Sequence, residues 1–133
     1  MKSKKPYVDN IEKLTLENND FRRVLYTGPH SQLVLMSLLP GEDIGNEVHY
    51  VDQFFRFENG NGKSIIDDVE YPFSSGTAIL VPAGSWHNIV NTGDIPLKLY
   101  TVYAPPNHID GRVHATKADA EADKKDEEFG PKE

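Results

Sequence analysis

An antiparallel all-β sandwich or barrel is the fold class this chain predicts, and three observations carry it. Short apolar or alternating runs recur along most of the 133 residues. Turn signals (Gly28-Pro29, Pro40-Gly41, Asn59-Gly60 and Pro105-Pro106) separate them at regular intervals. Hardly any stretch carries a helical period. Many short strands with such punctuation build sandwiches or closed barrels, and this length is that of one domain.

Taken in order, Asp9 or Asn10 before Ile11-Glu12-Lys13-Leu14 reads as a short capped helix or turn. Phe21 to Thr27 reads as a strand stopped by Gly28-Pro29. Gln32 to Leu39 is a nearly continuous apolar run, expected of a buried strand. Phe54 to Glu58 and Lys63 to Asp67 flank Asn59-Gly60-Asn61-Gly62, and this pattern predicts a hairpin, because Asn-Gly supplies positive-φ residues. Further strands are expected at 77–81, 87–90 and 97–103. The barrel with its N-terminal extension should occupy residues 1–113. The remainder, 114–133, is alanine-rich and charged with no apolar face, so a weakly ordered tail is expected.

Bulk properties exclude several functions. Fourteen basic against twenty-one acidic residues leave a formal charge of −7, which argues against a nucleic-acid partner. No apolar run approaches a membrane span. The start, Met1-Lys2-Ser3-Lys4-Lys5-Pro6, is basic but lacks the apolar stretch of a secretory signal. The chain has no cysteine, hence neither disulfides nor thiolate chemistry. Cytoplasm is the expected compartment.

Two segments stand out. In the first, Gly41, Glu47, His49, Gln53 and Gly60 are spaced G-x5-E-x-H-x3-Q-x6-G; in the second, Gly76, Pro82, Gly84, His87 and Asn91 are spaced G-x5-P-x-G-x2-H-x3-N. Together they resemble the paired motifs of the cupin superfamily, G-x5-H-x-H-x3-4-E-x6-G and G-x5-P-x-G-x2-H-x3-N. The second segment matches at every fixed position. The first places Glu47 where a histidine is usual and Gln53 where a glutamate is usual. The resemblance runs from about Phe21 to Pro105 and implies a double-stranded β-helix, or jelly-roll, barrel holding one metal ion. Within the superfamily the chain resembles the small single-domain cupins labelled mannose-6-phosphate isomerase-like.

The resemblance implies Glu47, His49, Gln53 and His87 as metal ligands, and strand alternation agrees with it. Residues two apart share a face, so Glu47, His49 and Gln53 point one way while Val48 and Asp52 point the other. The turn at Pro82-x-Gly84 swings His87 toward them. Two imidazoles, a carboxylate and an amide oxygen suit divalent Mn, Fe, Co, Ni or Zn. Glu47 and Gln53 exchange the positions of charge and neutrality, so such a shell keeps one negative charge. By parity Phe55 and Phe57 share the face of Gln53, and Ile89 lies beside His87, which predicts a largely apolar pocket. Arg56 falls on the other face, and no arginine or lysine reads as inward-facing. His30, His108 and His114 read as solvated, and Trp86 as a packing residue.

Three functions follow as expectations. The first is a metal-dependent isomerase- or lyase-type enzyme acting on a small-molecule substrate, the metal a Lewis acid and Glu47 the catalytic proton carrier, with Tyr50, Tyr100 or Tyr103 as weaker candidates. The second is an Fe(II) dioxygenase using His49, His87 and Glu47. The third is a non-catalytic module binding a sugar or small acid. A homodimer is expected through the edge of the strand at Phe21–Thr27.

Overall fold

A computed structural model describes residues 5–132. In chain order the elements are α1 (Ile11–Glu17), β1 (Arg22–Thr27), β2 (Gln32–Leu38), β3 (Asp52–Asn59), β4 (Asn61–Ile66), β5 (Val69–Ser74), β6 (Ala78–Val81), β7 (His87–Asn91), β8 (Leu97–Ala104), β9 (Val113–His114), α2 (Lys117–Ala122) and α3 (Lys124–Glu127). The strands form two antiparallel sheets facing one another. One has six strands in the order β6-β3-β8-β2-β1-β9, the other three in the order β5-β4-β7. This is a jelly-roll sandwich, the expected all-β class. No described helix is long and apolar enough to cross a membrane.

Alternation explains the core. Gln53, Phe55 and Phe57 of β3 turn inward while Asp52 and Asn59, at its ends, are exposed. Val34, Met36 and Leu38 of β2 and Leu97, Leu99 and Tyr103 of β8 join them, with Ile89 and Phe73 facing them from the small sheet. The Phe57 and Phe73 rings stack at 3.7 Å between centroids and tie the sheets together. The second face of β2 is also buried, at Leu35 and Ser37, which is why this strand reads as a continuous apolar run. Beside it Lys98 donates to the Asn18 carbonyl at 2.5 Å, and to Asn19 Oδ1 and Ser37 Oγ at 3.0 Å, pinning the end of α1 to the large sheet. The N-cap of α1 is Asn10, whose side chain accepts from the Lys13 amide.

The hairpin expected at Asn59–Gly62 is not formed. β3 and β4 belong to different sheets, and Gly60, at φ 103°, makes the corner between them. β4 pairs instead with β5 and β7. Its hairpin to β5 turns at Asp67 and Asp68, with φ of 48° and 69°, the two positive angles a two-residue turn of this kind needs. Alternation did not reveal β5, because this outer strand is largely exposed and carries Pro72, as edge strands can.

Residues 114–132 also differ from the weakly ordered tail that composition suggested. β9 pairs with β1 at Arg22–His114 and Arg23–Val113. Thr116 and Asp119 form a reciprocal capping box at the start of α2. The segment is fastened by polar pairs: Asp123 to Arg112 and His114, Asp126 to His108, and Lys117 to Asp43. A search for an apolar stripe passes over such an attachment. The same pairing covers part of the β1 edge assigned to a dimer seam.

Candidate metal centre

The connection between β2 and β3 is irregular in name only, since residues 41–47 run antiparallel along β7. The Gly41 amide donates to the Asn91 carbonyl, the Asn91 amide to the Glu42 carbonyl and the Ile44 amide to the Ile89 carbonyl, and Glu47 and His87 bond each other through both backbone amides at 2.8 Å. Glu47 thus stands directly opposite His87 on one face of the small sheet. His49 follows two residues later, and the Gly84 amide, donating to the His49 carbonyl at 2.8 Å, holds that turn. From the large sheet Gln53 reaches across, its Oε1 lying 3.1 Å from His87 Nε2.

One ligand atom each from Glu47, His49 and His87 fall within 4.8 Å of one another. The rings of His49 and His87 lie 5.2 Å apart between centroids, and His49 Nε2 is 3.8 Å from Glu47 Oε1. Donors that share one transition-metal ion at about 2.0–2.2 Å stand up to roughly 4.4 Å apart, so this set needs only a small contraction.

Hydrogen bonds outside the cluster orient two of its members. His87 Nδ1 donates to the Ser85 carbonyl at 3.0 Å, which turns the Nε2 lone pair into the cluster. Gln53 Nε2 donates to Thr101 Oγ1 at 3.0 Å, which turns Oε1 the same way. With ring and amide so oriented, two lone pairs face each other, and a cation between them would satisfy both. Protonation agrees with this use. Burial, aided by nearby His49, holds the His87 imidazole below the usual histidine range, which favours the neutral ring. Burial pushes the Glu47 carboxyl up, but the hydrogen bond and charge of His49 and the charges of Arg22 and His87 outweigh it, and the net shift is downward. The donor set therefore fits a divalent transition ion: two imidazoles, one carboxylate and one amide oxygen.

Above the cluster opens a pocket of about 550 Å³, lined by Glu47 and His49 together with Arg22, Trp86, Asn107 and His108, and walled on one side by residues of α2 and α3. Phe55, Phe57 and Ile89 do not line it. All three are fully buried below, and Phe55 meets the His87 ring edge-on at 6.2 Å. Parity places them inside the sandwich, but their own side chains fill that end of it, so they lie behind the ligands and the pocket wall is instead a mixture of polar and apolar residues.

Four further expectations are corrected here. Trp86 is 52% exposed and lines the pocket, so it is not a core packing residue. His108 is buried: Tyr103 hydroxyl and His108 Nε2 are 3.1 Å apart, and His108 Nδ1 lies 2.7 Å from Asp126 Oδ2. Burial raises the Tyr103 phenol far above its usual range and lowers the His108 imidazole, so Tyr103 donates to a neutral ring that donates to Asp126. His114 is buried against Asp123, 2.9 Å away. An inward cation exists after all, since Arg22 is buried and lines the pocket. The alternation Phe21-Arg22-Arg23-Val24 carried that signal, because inward Val24 puts Arg22 on the same face.

Comparison with known proteins agrees with the fold and the motifs. A crystal structure of BH2720 from Bacillus halodurans superposes with a TM-score of 0.87 at 50% identity, covering 89% of this chain and 95% of that one. The uncharacterized protein YrkC of Bacillus subtilis is 51% identical over 133 residues, 89% of this chain and 67% of its own length. Uncharacterized protein L612 of Acanthamoeba polyphaga mimivirus is 44% identical over 112 residues, 80% of this chain and 70% of its own. The family model for the cupin domain matches residues 34–103, which hold both motifs and all four candidate ligands; the chain belongs to the cupin family.

Proposed function

We propose that this cupin binds one divalent transition metal through Glu47, His49, His87 and the amide oxygen of Gln53, and acts as a metal-dependent enzyme of isomerase or lyase type on a small molecule. The observation behind this reading is the convergence of those four side chains from two facing sheets beneath one pocket. When bound, the ion would supply Lewis-acid polarisation of a carbonyl or hydroxyl oxygen. The chain's own residues do the rest. Glu47, half-buried at the pocket floor, is placed to carry a proton between substrate atoms, and its lowered pKa favours the base form at neutral pH. Tyr103 is a poor alternative, because its raised pKa and its bond to His108 keep its proton. Asn107 Nδ2, 3.3 Å from His49 Nδ1, restrains the His49 ring.

A second reading, an Fe(II) dioxygenase, is favoured by the two-histidine, one-carboxylate composition of the cluster. Non-catalytic binding of a sugar or small acid is the third. Cytoplasmic residence and a homodimer remain parts of the proposal, the latter without the β1 edge as its seam.

Metal analysis of the full-length protein, with metal titration of two variants, tests the shell. Gln53→Glu should tighten binding by adding a carboxylate, and Glu47→Gln should weaken it by leaving the shell neutral. Equal affinities in both would remove these residues from the shell. Turnover on a panel of small carbonyl and hydroxy compounds, lost on chelation and restored by one metal, separates enzyme from binder. Oxygen uptake under Fe(II) separates the dioxygenase.

A further inference from the structure

We propose that Arg22 is the anchor for a ligand carboxylate, so that the pocket takes a short hydroxy or oxo monocarboxylic acid. This rests on the metal reading for the ligand's second oxygen, although the anchor itself does not.

Arg22 sits on β1 with its side chain inward, 7% exposed, while Arg23 turns out to solvent and pairs with Asp20 at 3.5 Å. A buried guanidinium normally lies against a carboxylate, because an unpaired buried charge is costly. Arg22 has no ion pair among the described residues, and its Nε has no hydrogen-bond partner. The contact found is with the Phe21 ring, whose centroid is 5.3 Å from the guanidinium carbon. The pocket's lysines differ: Lys117 is held by Asp43 at 2.7 Å, Lys124 by Glu127 at 3.2 Å, and Lys132 is exposed. Arg22 is therefore the buried cation of the pocket with donors still to be satisfied, and a guanidinium fork matches a carboxylate through two parallel bonds.

Charge selects the class. Beneath the pocket lie buried Arg22 and Asp126 and half-buried Glu47, one cation and two carboxylates. A divalent ion in the cluster would leave one positive charge over, which one monoanion balances. A phosphate dianion would overshoot that single charge. Arg22 and Glu47 line one pocket, so an acid bound at Arg22 shares that pocket with the cluster.

The test uses full-length protein loaded with Co(II), whose binding is first measured by titration. Lactate and pyruvate are compared by calorimetry with their uncharged counterparts 1,2-propanediol and hydroxyacetone, and with inorganic phosphate. The acids should bind at least about tenfold more tightly than the alcohols, the scale of a charge-assisted hydrogen-bond pair. Arg22→Gln should erase that preference and leave Co(II) affinity within about threefold, by the same conversion of affinity into free energy. Arg22→Lys, which keeps the charge without the fork, should restore part of it, and Arg23→Gln should change nothing. A preference that survives in Arg22→Gln overturns the proposal, as does a folded wild type that binds Co(II) but no acid. Phosphate binding as well as or better than the acids also overturns it. Absence of Co(II) binding would overturn the metal reading alone. The same titration on metal-free protein would then decide Arg22, an Arg22-dependent acid preference supporting the anchor and its absence refuting it.

Discussion

Removing the Asp126 carboxylate should detach the C-terminal segment from the pocket. Asp126 is 3% exposed; its Oδ2 lies 2.7 Å from His108 Nδ1, and its Oδ1 accepts from the Ile109 amide at 2.7 Å. Asp126→Ala leaves the buried His108 ring and the part-buried Ile109 amide without partners, each loss worth about 1–3 kcal/mol. Local opening would readmit water to part of the site, so an effect of about 3 kcal/mol is expected. For a domain of this size that lowers the melting temperature by about 10 °C. Asp126→Asn should lose only about 1 kcal/mol, because its amide oxygen still serves Ile109 and its NH2 can donate to the other His108 tautomer. Thermal unfolding at pH 7 measures the stability. Limited trypsin digestion, reading cleavage after Lys117, Lys124 and Lys125, measures the detachment. An alanine variant that melts within 2 °C or so of the wild type, a shift well under 1 kcal/mol, and resists trypsin equally would refute this account of how the segment is held.

Acid should release the same segment before the sandwich unfolds. The hydrogen bond from His114, with those of the Asp126 amide and Arg112, holds Asp123 down at about 2, and His108 with the Ile109 amide holds Asp126 low against its burial. Carboxylates with depressed folded pKa values stabilise above their unfolded value near 3.9 and lose that contribution as pH falls through the folded one. Trp86, the single tryptophan, lines the pocket beside this segment, so its emission should change between about pH 4 and pH 2; a constant emission over that interval would contradict the reading. Gly62→Ala should destabilise by about 3 kcal/mol or more, as overpacking against a backbone atom does. An added Cβ there would lie 2.2 Å from the Val90 carbonyl oxygen and 2.8 Å from the Phe73 ring, and wild-type urea stability would exclude that close approach. Lys98→Met should lose about 2–4 kcal/mol by chemical denaturation, because the carbonyl of Asn18 and the side-chain oxygens of Asn19 and Ser37 lose their donor; an unchanged midpoint would mean that the ammonium does not hold α1.

Local periodicity was legible in the residues alone. Alternation placed Gln53, Phe55 and Phe57 inward, and the Gly, Pro and His spacings put the four candidate ligands where facing sheets could bring them together. The reason is that side-chain direction along a strand follows from the backbone itself. Which strands pair is not a local property. Asn59–Gly62 carries the dipeptide of a hairpin, yet Gly60 turns the chain into the other sheet, because β4 finds partners in β5 and β7, strands that come later in the sequence. Residues 114–132 likewise have no apolar face to read. They are held by Asp123 and Asp126 on His114, Arg112 and His108, contacts whose value depends on desolvation that only the assembled pocket provides. Arg22 lies between these cases. Its inward direction was present in the alternation with Val24, but that it ends buried, uncompensated and beside Glu47 was decided by how the two sheets and the C-terminal segment close around it.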